Sequence, residues 1–144
     1  MKQTTWTVLA ERAQGAVRDA QTAVNDAKQR LAKLEAGVAH LDRLRDDYIA
    51  RYNETQKVAH SISDTITYRR FLEHLRGLRQ KFESQLQQAQ LEVADAKDAL
   101  ARALREQAKM EAMVERDERN HALAAAKREQ RALDEAGLRL FNAR

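Results

Sequence analysis

Apolar residues recur along this chain in one narrow stripe. From Trp6, alternate steps of four and three give Trp6, Ala10, Ala13, Val17, Ala20, Val24, Ala27, Leu31, Leu34, Val38, Leu41, Arg45, Tyr48 and Tyr52. Only Arg45 is polar. A second run reads Tyr68, Leu72, Leu75, Arg79, Phe82, Leu86, Ala89, Val93, Ala96, Leu100, Ala103, Gln107, Met110 and Val114, broken only by Arg79 and Gln107. A period of 3.5 sustained this long predicts two coiled-coil helices.

The stretch between the runs, "NETQKVAHSISDTI", interrupts the stripe. Within it Ser61 and Asp64 have the spacing of a capping box, which marks a helix start. A short connection between two long helices favours an antiparallel hairpin. The reading is all-α: a single two-helix coiled-coil hairpin over 1–144, with helix 1 at about 4–55, a turn at about 56–64 and helix 2 at about 65–140. Pairing positions whose numbers sum to 120 sets every stripe residue against another. Leu31 then faces Ala89, Ala27 faces Val93, Ala20 faces Leu100 and Ala10 faces Met110, large against small. A register one heptad away, summing to 127, also gives acceptable layers; 120 is favoured.

In that register Trp6 faces Val114, and helix 2 then runs out of partner. The stripe stops there too, since "ERDERNH" at 115–121 is wholly polar. An apolar pattern resumes in a new phase through Leu123, Ala126, Leu133 and Leu140. The last stretch therefore reads as a C-terminal helical overhang, about 45 Å long if fully helical. A stripe without an internal partner calls for an external one.

Composition agrees with this picture. The 144 residues include no proline, no cysteine and only four glycines, with 33% charged and 5% aromatic residues. Such a chain keeps its helices unkinked and builds no disulfide framework. Net charge is +4, with the signs mixed along the chain, as on a solvated helix surface rather than a nucleic-acid face. No apolar run is long enough for a signal peptide or a spanning helix, so a cytoplasmic location is expected. No phosphate-binding loop is present. His40, His60, His74 and His121 lack metal-ligand spacing, and a two-helix rod offers no concave site for paired carboxylates. The expectation is a non-enzyme with no cofactor and no metal.

Five of the seven aromatics crowd into 48–82: Tyr48, Tyr52, Tyr68, Phe71 and Phe82. The segment holds two tyrosines four apart, a polar loop, then "YRRFLEHL" from Tyr68 to Leu75. In this feature, and in length, hairpin position and the charged tail "VERDERNHALAAAKREQRALDE", the chain resembles the FliJ family. These are coiled-coil proteins of the bacterial flagellar type III export apparatus. Injectisome stalk proteins of the YscO type have the same shape. The sequence departs from the family at Arg45, where an apolar residue is usual, and in lacking a loop glycine.

The resemblance implies a stalk and coupling protein, mainly a monomeric hairpin, peripheral at the cytoplasmic face of the inner membrane. It would dock in the ring of a FliI-like export ATPase hexamer and reach an FlhA-like export gate. Export chaperones are further family partners. The gate surface maps to Tyr48, Tyr52, Phe71, Leu75 and Leu78, and the overhang residues Leu123, Leu133 and Leu140 are the candidates for ring contact. By position, Tyr52, Tyr68 and Phe82 read as packing residues of a widening tip. Phe71 and Leu78, off the seam, read as anchors for a partner. The competing readings are an injectisome stalk, a general coiled-coil scaffold and an RNA-binding hairpin.

Overall fold

The computed structural model describes residues 4–58 and 61–143; of the histidines considered above, His60 lies outside these. Two α-helices, α1 (Thr5–Thr55) and α2 (Ile62–Asn142), pack against each other as a helical hairpin, with no strand among the described residues. By contacts the chain forms two units: Ala20–Ala99, and Met1–Asp19 with Leu100–Arg144.

Side chains define the helix ends. Thr4 caps α1, its Oγ1 accepting the Thr7 N–H at 3.2 Å. The capping box at α2 is reciprocal: the Asp64 N–H donates to Ser61 Oγ at 3.2 Å, and the Ser61 N–H to Asp64 Oδ2 at 3.4 Å. Ser61 is thus the N-cap, and α2 begins at Ile62, three residues before the expected start. The missing loop glycine also has an explanation. The Thr55 hydroxyl donates to the Tyr52 carbonyl at 2.8 Å, and the amides of Gln56, Lys57 and Val58 close tight turns onto Tyr52, Glu54 and Thr55. The carbonyls of Tyr52, Glu54 and Thr55 are satisfied without a left-handed residue; none has positive φ among those described.

Burial follows the stripes. The fully buried apolar residues are Ala13, Val24, Ala27, Leu41, Leu75, Ala89 and Val93, and each is a stripe position. Every other stripe residue is at least partly withdrawn from solvent except Trp6 and Arg45. The exposed surface is 11742 Å². A compact chain of 16.5 kDa exposes roughly 7,600 Å². Burial is therefore confined to the seam.

Within Ala20–Ala99 the cross-helix contacts settle the register. Tyr52 stacks on Tyr68, Tyr48 meets Phe71, Arg79 bonds Asp42, Arg30 meets Glu92, and Phe82 lies against Gly37. The paired numbers sum to about 120, as favoured. A sum of 127 would have set Tyr48 beside Arg79 and Tyr52 beside Leu75. In the other unit Trp6 lines a hollow with Met113, Arg116, Asp117 and Asn120, also close to that pairing.

One seam layer depends on a glycine. A Cβ on Gly37 would lie 2.5 Å from Cε1 of Phe82, whereas a Cβ on Gly77 would meet nothing within 4 Å. Gly77→Ala should therefore raise stability by about 0.5–1 kcal/mol through helix propensity. At Gly37 the same gain is offset by overpacking of about 1–3 kcal/mol. Thermal melts should show a higher Tm for Gly77→Ala and no increase, or a decrease, for Gly37→Ala.

Candidate partner-binding sites on the hairpin

The last turns of α1 and the first turns of α2 bring four aromatic rings together. Tyr52 and Tyr68 stack at a centroid distance of 3.7 Å and 9° between planes. Tyr48 stacks on Tyr68 at 5.5 Å and meets Phe71 at 4.2 Å, tilted by 45°. The Tyr52 and Thr65 hydroxyls share a hydrogen bond of 3.2 Å. The i, i+4 spacing of the tyrosines puts both rings on one face of α1, where Tyr68 and Phe71 come in from α2. Alanine and leucine would leave this level open; the rings fill it. The crowding of aromatics is first a packing feature, as expected for Tyr52, Tyr68 and Phe82.

Phe71 differs from the expectation. Rather than standing open, it is half-buried with its ring against that of Tyr48. Leu75 is turned into the seam at 6% exposure. Leu78, Tyr48 and Tyr52 are half-buried and keep accessible edges. The structure thus brings Tyr48, Tyr52 and Phe71 into one cluster and sets Leu75 beneath the surface.

Sequence reasoning missed the most exposed apolar residues of this region: Val58, Ile62 and Ile66 are 72%, 81% and 46% exposed. Val58 lies on the rim of an open cleft with Tyr48, Arg51, Tyr52, Asp64 and Tyr68. Their spacing of four was the available signal, hidden inside a stretch that reads as polar.

In the other unit, every described residue of α2 after Asp117 is exposed. Leu123 and Leu133 are 62% exposed and Leu140 is 73%. Leu138 and Phe141 are equally open but lie outside the heptad steps and were overlooked. The three candidate leucines lie on one face of this helix and meet no part of α1.

The two arginines that break the stripes share one carboxylate. Arg79 Nε–H donates to Asp42 Oδ1 at 2.7 Å, and Arg79 also pairs with Glu83. Arg45, exposed, lies 3.6 Å from Asp42 Oδ1 and 3.2 Å from Asp46 Oδ1. The Arg79 hydrogen bond holds the Asp42 carboxyl below its usual pKa, and the same contact raises that of Arg79. Elsewhere His121 and Asp117 approach at 3.6 Å, and no cluster among the described residues could hold a metal ion.

A lowered folded pKa means that ionised Asp42 favours the hairpin. That contribution is complete above the ordinary aspartate value of about 3.9 and is lost as pH falls through the lower folded value. Asp42→Asn should therefore melt earlier than wild type at pH 7. The gap should close on acidification below that window, and added salt should narrow it at neutral pH.

No helix among the described residues is long and apolar enough to cross a membrane. No curated protein and no solved structure matches the chain. A family model, described as flagellar FliJ protein, matches residues 3–144. With that match over essentially the whole length, on a helical hairpin of the expected register, the chain belongs to the FliJ family and has a flagellar export-associated role.

Proposed function

We propose that this protein is the stalk of the export machine, coupling a FliI-like ATPase hexamer to an FlhA-like gate at the cytoplasmic face of the inner membrane. The observation that carries this reading is the run of α2 beyond Asp117, a helix whose leucines stay exposed among the described residues. Leu123, Leu133 and Leu140 meet the ring. A helix seated in a ring of subunits favours one subunit arrangement over another and so changes the hydrolysis rate. The aromatic tip meets the gate through the open edges of Tyr48, Tyr52, Phe71 and Leu78, with Leu75 supporting them from below. Export chaperones are further partners in this reading.

Two measurements test it. Leu123→Ser, Leu133→Ser and Leu140→Ser combined alter only exposed positions, each within about 0.5 kcal/mol of stability. Melting should stay near wild type while stimulation of the export ATPase is lost; undiminished stimulation would remove the overhang from the ring.

At the tip, Phe71→Ala gives up a ring contact with Tyr48, so some loss of Tm is expected. Leu34→Ala, at a half-buried seam position, is the matched control at about 2 kcal/mol. Gate affinity should fall roughly tenfold or more for Phe71→Ala, as for an interface anchor, and stay unchanged for Leu34→Ala. If both variants bind the gate like wild type, the tip aromatics serve packing alone.

A further inference from the structure

A groove runs beside the seam just below the aromatic layer. Its floor is Leu41, Ile49, Leu72 and Leu75, and its cavity volume is about 190 Å³. Arg45, Arg76 and Arg79 line it together with a single carboxylate, Asp42. Phe71, Leu78 and the tyrosines do not line it; of the tip residues it shares only Leu75, whose side chain lies in its floor.

Two of the three arginines on this groove are paired, and Arg76 is not. Asp42 is shared by Arg79 and Arg45, whose other partners, Glu83 and Asp46, stand outside the lining. Arg76 makes no ion pair with any described residue. The fold uses Arg79 to hold Asp42 across the seam, but Arg45 reaches only carboxylates of its own helix, and Arg76 has no such role. A guanidinium beside an apolar floor presents a planar fork that matches a carboxylate in two parallel hydrogen bonds.

We propose that this groove docks an acidic segment of a partner protein, with an aliphatic side chain on the Leu41–Leu75 floor and a carboxylate on the Arg76 fork. Charge complementarity favours an acidic ligand. The aliphatic floor favours a peptide over a free anion, which would leave that floor wet. This holds whichever component supplies the segment, and it does not rest on the ring or gate contacts above.

The test is NMR of the full chain, titrated to millimolar concentration with a blocked peptide of alternating leucine and glutamate. Its glutamine counterpart and inorganic phosphate are the comparison arms. The acidic peptide should shift the Ile49 and Leu72 methyls and the Arg76 side chain. The glutamine peptide should bind roughly tenfold more weakly or less, and phosphate should leave the methyls in place. Arg76→Glu should abolish the methyl shifts without lowering Tm, since Arg76 has no partner to lose. The proposal is overturned by equal binding of the two peptides, by binding retained in Arg76→Glu, by phosphate moving the same methyls, by shifts centred on Phe71 and Leu78, or by no methyl shift at all.

Discussion

Everything in this molecule depends on one seam a single residue wide on each helix. Among the described residues every buried side chain belongs to it. Small side chains dominate its tightest levels: Ala13, Ala27 and Ala89 are among its fully buried residues. Alanine allows close helix approach but contributes little apolar area per layer, so stability accumulates over many weak layers. A seam of this kind is sensitive to register, because a slip of one heptad keeps the apolar pattern while changing every partner.

Two features resolve that ambiguity. The Phe82 ring needs a position without a Cβ opposite it, and Gly37 provides it. Arg79 needs a carboxylate, and Asp42 provides it. In the shifted register each would lose its partner: a phenyl ring would meet a side chain, and a seam arginine would lie against the Tyr48 level. Neither feature adds much stability by itself. Both act by making the alternative costly, which is how polar groups at coiled-coil seams specify pairing.

The proposed contacts fall on what the seam does not use. Because α2 is longer than α1, its final turns have an apolar face with nothing to cover it. Because the tip is filled by rings rather than small residues, ring edges and the Val58, Ile62 and Ile66 side chains stand open to solvent. Around Arg76 an unpaired guanidinium beside aliphatic side chains leaves a third surface. The proposed coupling role would draw on such separate surfaces.

The heptad steps by themselves determined the two helices, the hairpin and the stripe residues, since period 3.5 is a property of position alone. The spacing of Ser61 and Asp64 marked the start of α2, because a capping box is local chemistry. The aromatic crowding and the tail marked the family. Only the tertiary structure decided between the two registers, because both satisfy the same stripe and the difference lies in side-chain shape at Gly37 and charge at Asp42. It also placed Phe71, off the stripe, in the ring cluster, while Leu75 is buried as its stripe position implies. Heptad arithmetic names only the stripe positions, and the long Tyr48 side chain reaches the Phe71 ring beside them. The groove beside Arg76 was illegible for a related reason: its walls come from two segments some thirty residues apart, and their meeting is a fact of packing rather than of spacing.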